Sequence, residues 1–156
     1  MRAFVLTLLI AAFFPAPMAR ADIVSYAIVK SDGTLRVSNR TIRLHGIYIP
    51  HADRKHCQTF IRPVRCGSRA ALALDFKIGS HFVHCKPVVK YRDRSVSAVC
   101  YVGRTFNSDG EDLGAWLVEH GLALAAPGAP FEYLALERIA RVQNRGVWGF
   151  IIDSIQ

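Results

Sequence analysis

The chain has 156 residues and 17.3 kDa, enough to enclose one hydrophobic core and too little for a second domain of ordinary size. Hydrophobic residues make up 51% of it and the formal net charge is +8. A positive field of that size favours polyanionic partners such as nucleic acid or acidic glycans, without choosing between the two.

Met1 and Arg2 supply a short basic start, and residues 3–14 form an apolar run too short to cross a bilayer as a helix. Pro15 and Pro17 break that run, and Ala19 and Ala21 occupy the small-residue positions that precede a signal-peptidase cut. Residues 1–21 therefore read as a signal peptide, and 22–156 as a single secreted or periplasmic domain with no membrane span. A buried N-terminal helix is the alternative, and nothing amphipathic in those residues favours it. Beyond residue 21 the charge is lopsided: residues 22–105 carry 15 basic and 5 acidic side chains, residues 106–156 carry 3 and 7.

Residues 23–29 are strand-like, and a Ser31-Asp32-Gly33 turn follows. Residues 34–37 and 41–49 complete a three-strand meander. Within the last run, alternation puts Ile42 and Leu44 on one face and Arg43, His45 and Ile47 on the other. Residues 51–65 are polar, basic and interrupted by Pro63, which predicts a loop. Ser68 is a candidate N-cap for a helix over 69–78 that Gly79 is suited to end. Residues 82–89 and 96–102 are two further strands, separated by a charged turn at 90–94. A second helix is expected over 111–120, capped by Asp109, with Trp116 and Leu117 inward and Gly121 at its end. A third is expected over 131–144, with Leu136, Ile139 and Ala140 on one face. Val147, Trp148 and Phe150 follow as an apolar tail. Five strands and three helices place the chain in the α+β class, as a small barrel decorated by helices.

All four cysteines lie beyond the signal segment, where disulfides persist. The favoured pairing is Cys57 with Cys66, closing a polar loop, and Cys85 with Cys100, one in each of two strands that read as hairpin neighbours. A metal site is the competing reading, because His51, His56, His81 and His84 lie near the cysteines, although no Cys-x-x-Cys unit accompanies them.

Several strings in order along the chain resemble one family. They are Thr34-Leu35-Arg36-Val37, Ile42-Arg43-Leu44-His45-Gly46-Ile47 with Pro50, Arg65-Cys66-Gly67, Val99-Cys100-Tyr101-Val102-Gly103, Asp112-Leu113-Gly114-Ala115-Trp116-Leu117-Val118, Gly121-Leu122-Ala123 and Arg145-Gly146-Val147-Trp148. Together, over residues 23–149, they are similar to the thermonuclease (staphylococcal-nuclease-like) family, in its exported, cysteine-containing bacterial branch. The resemblance implies a five-stranded oligonucleotide-binding (OB) barrel with three helices. It also implies calcium-dependent hydrolysis of DNA and RNA, with carboxylates for the metal, a glutamate to activate water and two arginines against the phosphate.

Three of those carboxylates are absent at the matched positions. Where the family reads Asp-Gly-Asp-Thr, this chain reads Ser31-Asp32-Gly33-Thr34, so Gly33 stands in place of the metal-binding aspartate. Asp32 is one residue off, which in a strand reverses the face unless a bulge re-aims it. Tyr48 stands in place of the second metal-binding aspartate and His51 in place of the glutamate. A hard cation needs anionic oxygens, so no metal ligands and no cofactor are assigned. Arg43 matches the first phosphate-contacting arginine, and its planar guanidinium suits that role. The second falls on Arg94, or on Ser95 if the match is read without a gap.

Three functions follow as expectations. The favoured one is a catalytically impaired homologue that binds nucleic acid through Arg43, Arg94, Tyr48 and Tyr91. An altered nuclease would instead use His51 as general base, with Arg43 and Arg94 stabilising the phosphorane without calcium. The last is an envelope protein-interaction module that merely shares the fold. Oligomeric state is not legible from these residues.

Overall fold

The computed structural model describes residues 21–50, 58–59, 62–63 and 66–149. Among these residues are eleven strands and three α-helices: β1 (Ile23–Ser25), β2 (Ala27–Val29), β3 (Leu35–Val37), β4 (Arg40–Leu44), β5 (Ile47–Tyr48), β6 (Gln58–Thr59), β7 (Arg62–Pro63), α1 (Cys66–Ile78), β8 (Val83–Lys90), β9 (Val96–Val102), β10 (Glu111–Asp112), α2 (Leu113–Glu119), β11 (Leu124–Ala125) and α3 (Phe131–Val142), followed by a 3-10 turn at Gly146–Trp148. The α+β class holds, with a sheet of seven strands in the order β1-β8-β9-β4-β3-β2 and β10 added to β9.

The run at 23–29 divides at Tyr26. Its first half, β1, pairs with β8, and its second half, β2, pairs with β3. Because β1 and β2 are consecutive in the chain yet stand at opposite ends of the strand order, the sheet curls back toward its own start and becomes barrel-like. Among the described residues, the only parallel pair in that sheet is β4 with β9, in the register Ile42↔Val96, Arg43↔Ser97 and Leu44↔Ala98. In β8 the register slips between Pro87 and Val89, a bulge of the kind that bends a strand around a small barrel.

Alternation accounts for the core. Leu35, Val37, Ile42, Leu44, Val83, Cys85, Val96, Ala98, Cys100 and Val102 point inward, and α1 and α2 add Leu74, Ile78, Leu113 and Leu117. Cys85 and Cys100 are directly opposed in the β8–β9 hairpin, fully buried and joined by a disulfide, with Cα atoms 4.0 Å apart. Cys57 lies outside the described residues, so the other pairing does too.

Helix boundaries shift from those expected. α1 begins at Cys66, which puts Ser68 inside it rather than at its cap. Gly79 ends it as anticipated, at φ +52° with its amide bonded to the Asp75 carbonyl. α2 is capped by Asp112 and not Asp109, because Glu111 and Asp112 first extend the sheet beside β9. The Asp112 carboxylate accepts from the Gly114 and Ala115 amides at 2.8 and 3.3 Å, and its other oxygen accepts from the Tyr133 hydroxyl at 2.7 Å. On α3 the buried residues are Tyr133, Glu137 and Ala140, while Ile139 is exposed. The inward stripe is therefore rotated from the one expected and carries a carboxylate. Glu137 accepts the Ala125 amide at 3.0 Å and an Arg141 guanidinium bond, tying α3 to β11 and, through it, to β5.

Candidate functional site

Arg43 lines one cleft, and its partners Tyr91 and Asp93 line another. The smaller, of about 130 Å³, is lined by Asp32, Gly33, Thr34, Arg43, Leu44, Ile47, Tyr48 and Ile49. It is built where the β2–β3 turn meets the end of β4. Lys30 and Thr34 close that turn through a 2.8 Å backbone bond, and Gly33 donates to the Lys30 carbonyl. Asp32 lines this cleft but is engaged within its own turn. Its Oδ1 accepts the Thr34 amide at 3.0 Å and the Thr34 hydroxyl at 2.7 Å, the side-chain cap of a tight turn. Burial works against its charged form, but these bonds and nearby Lys30 outweigh it and hold the carboxyl below its ordinary value.

Gly33 is at φ +78°, and a Cβ placed on it would come within 2.3 Å of Ile49 Cδ1. Any side chain at position 33 would therefore require the Ile49 methyl to turn aside. No group of three or more His, Cys, Asp or Glu side chains converges among the described residues. With no side chain on Gly33, Asp32 Oδ1 committed to Thr34 and a phenol at Tyr48, the residues present do not fit the calcium that the resemblance implies.

Arg43 stands on the exposed side of β4, as alternation requires. Its guanidinium bonds Asp93 Oδ2 at 3.2 Å and lies 5.7 Å from the centre of the Tyr91 ring. Asp93 in turn accepts the Ser95 hydroxyl at 2.6 Å and the Ser95 amide at 3.0 Å. The Ser95 hydroxyl and then its amide outweigh desolvation and, with Arg43, keep Asp93 below the usual carboxylate range.

The larger cleft, of about 540 Å³, is lined by Asn39, Arg40, Thr41, Lys90, Tyr91, Asp93, Arg94, Ser95 and Val96. Arg94 lines this cleft and Arg43 the smaller one, so the two arginines do not share a pocket. Arg94 sits in the β8–β9 turn at φ +64°, while Ser95, its gap-free alternative, is buried. Tyr48 is half-exposed on β5, and Tyr91 is half-exposed at the edge of the larger cleft. His51 and His56 lie outside the described residues.

The metal reading based on histidine and cysteine loses Cys85, which is consumed by the disulfide. His81 Nδ1 bonds the Ile78 carbonyl at 3.1 Å. His84 faces away from Cys85, since neighbours in a strand point to opposite sides. Three site features were missed in the sequence: Ile49 beside Gly33, Asp93 as the partner of Arg43, and Arg40 with Lys90 as cleft-lining cations. Only Asp93 left a local signal, an aspartate two residues before a serine, the spacing of a side-chain-capped turn.

No helix among the described residues is long and apolar enough to cross a membrane. No protein-family model matches the chain. It is similar to the succinoglycan biosynthesis protein ExoI of Rhizobium meliloti (strain 1021), at 26% identity over 132 residues. That alignment spans 83% of this chain and 66% of the length of ExoI.

Proposed function

We propose that this chain is an exported, thermonuclease-like OB barrel that binds single-stranded nucleic acid and does not hydrolyse it with calcium. The curled sheet supports the barrel part of this reading. If β1 with β2 and β4 with β5 are each counted as one bent strand and the two-residue strands β6, β7, β10 and β11 are set aside, five strands remain, in the order 1-4-5-3-2. The disulfide suits an oxidising compartment.

The observation that carries the proposal is that the cleft beside Arg43 holds one carboxylate, Asp32, whose Oδ1 is bonded within its own turn, while Gly33 and Tyr48 supply none. A binding role keeps what is left, an exposed guanidinium on Arg43 beside the Tyr91 ring, with Tyr48 on the neighbouring wall. Cations track phosphates and aromatic faces stack bases without regard to sequence.

The test uses residues 22–156 with labelled single-stranded DNA and RNA, in calcium and then in chelator. Binding should fall by about tenfold or more between 50 and 200 mM salt, as release of counterions from about three phosphates requires. Arg43→Ala should weaken it, and the oligonucleotides should remain intact. Calcium-dependent cleavage would defeat the proposal.

A second reading rests on the similarity to a protein of succinoglycan biosynthesis. Here the same basic surface would serve the assembly of a polysaccharide. Retention of an acidic polysaccharide by the protein, with no retention of oligonucleotides, would select this reading over the first.

A further inference from the structure

The parallel pairing of β4 with β9 has a geometric result. Parallel strands begin at the same end of a sheet, so the turn that enters β4 and the turn that enters β9 lie side by side. The first is the tight Ser38-Asn39 turn, both residues at positive φ, with Asn39 bonded by the Arg36 guanidinium and Arg40 immediately after it. The second runs from Lys90 to Ser95, closed by the Tyr91 amide on the Ser95 carbonyl at 2.9 Å and the Arg94 amide on the Tyr91 carbonyl at 3.2 Å. The cleft between them, of about 540 Å³, is the one lined by Arg40, Lys90 and Arg94.

Three cations therefore meet a single carboxylate, and that carboxylate is committed to Ser95 on one oxygen and to Arg43 on the other. Arg40, Lys90 and Arg94 are exposed, and no ion pair between any of them and an acid is present among the described residues. Tyr91 lines the cleft and its ring centre also lies 5.7 Å from the Arg43 guanidinium, so Tyr91 links the cleft to Arg43.

We infer that this inter-turn cleft is a second phosphate-binding subsite, in which Arg40, Lys90 and Arg94 hold the backbone of a single-stranded nucleic acid whose next segment passes Tyr91 to reach Arg43. The inference rests on the nucleic-acid reading above and adds to it a direction of travel and two residues, Arg40 and Lys90, that lie outside the Arg43 pocket. A track of this kind neutralises successive phosphates with fixed cations and leaves the bases to an aromatic face.

The test is fluorescence anisotropy of a labelled sixteen-nucleotide oligo-dT, and of a labelled oligogalacturonate, with residues 22–156. Wild type is compared with Arg40→Ala/Lys90→Ala, with Arg43→Ala, and with Arg138→Ala as a control for loss of a distant charge on α3. Loss of two phosphate contacts should lower the salt slope by about 1.4 and the affinity for oligo-dT by about tenfold at low salt. Arg138→Ala should leave both near wild type.

If wild type and Arg43→Ala differ while Arg40→Ala/Lys90→Ala binds like wild type, the cleft is not a subsite, although the nucleic-acid reading stands. If the three alanine proteins weaken alike, the effect is net charge alone and the cleft assignment fails. Oligogalacturonate binding that needs Arg40 and Lys90, with no oligo-dT binding, overturns the nucleic-acid occupant. Absence of binding to either probe overturns both the subsite and the reading beneath it. Circular dichroism melts of each variant verify that the barrel is intact, and charge-preserving Arg40→Lys should recover most of the affinity.

Discussion

At the scale of single residues, the site turns on Gly33 and its neighbour Ile49. A side chain on residue 33 meets two obstacles, the left-handed backbone at φ +78° and the Ile49 methyl at 2.3 Å. Gly33→Asp should therefore cost about 1–3 kcal/mol of stability and bring no calcium-dependent activity. Adding Ile49→Ala should recover part of that loss by removing the side-chain clash. Urea denaturation of the single and double variants, followed by a calcium titration, measures both; full stability in Gly33→Asp alone would refute the packing argument. Asp93 allows a prediction about pH. Its folded-state pKa lies below the ordinary 3.8, so the unfolded chain binds the proton more readily. The stability contributed by the ionised carboxylate is complete above 3.8 and is lost as the pH falls below it through the folded-state value. Between about pH 6 and about pH 3, wild type should lose more stability than Asp93→Asn. The same variant, at neutral pH, should bind oligonucleotide more tightly because it releases Arg43 from a weak, solvent-exposed ion pair. Equal losses in the two proteins would show that the turn does not depend on that charge.

At the scale of elements, Asp112 couples three pieces of structure. It closes the β9–β10 pairing, caps α2 and receives the Tyr133 hydroxyl from α3. Burial, and then the charged acceptor, push the Tyr133 hydroxyl well above its ordinary value, so it remains a donor. Removing the cap and leaving that donor unpaired should make Asp112→Ala cost about 2–4 kcal/mol, whereas Tyr133→Phe, which keeps the cap, should cost about 1 kcal/mol. Chemical denaturation ranks the two, and the reverse order would remove Asp112 from its role as the junction. Much of this level is legible in sequence: all three helices and their approximate extents follow from apolar spacing and from Gly79 and Gly121. The cap is not, because Asp109 and Asp112 are equally good cap residues, and the choice depends on how far the chain stays paired to β9. Nor is the inward stripe of α3, because a buried Glu137 breaks the apolar pattern; the Ala125 amide and Arg141 supply the bonds that allow it.

At the scale of the whole molecule, the sheet and the disulfide act together. The Cys85–Cys100 link spans 15 residues and crosses the longest hairpin of the barrel. In the chain-entropy account a loop of that length contributes about 3 kcal/mol. Cys85→Ala/Cys100→Ala should accordingly unfold at a markedly lower temperature than wild type, with a loss of stability near that figure in a denaturant titration. An unchanged midpoint would mean that the core residues around the cysteines compensate for the missing link.

Local periodicity by itself settled the α+β class, the shared inward face of Ile42 and Leu44, the outward placement of Arg43 and the pairing of Cys85 with Cys100 across a hairpin. Each of these follows from a repeat of two or about 3.6 residues, or from a turn signal between neighbouring runs, and such information lies within a few residues of the position concerned. Tertiary structure alone decided that Ile49 lies against Gly33, that Arg43 meets Asp93 fifty residues away and that β4 and β9 run parallel and set two basic turns side by side. Those relations depend on how distant strands register around a curled sheet, and no short window of residues contains both partners.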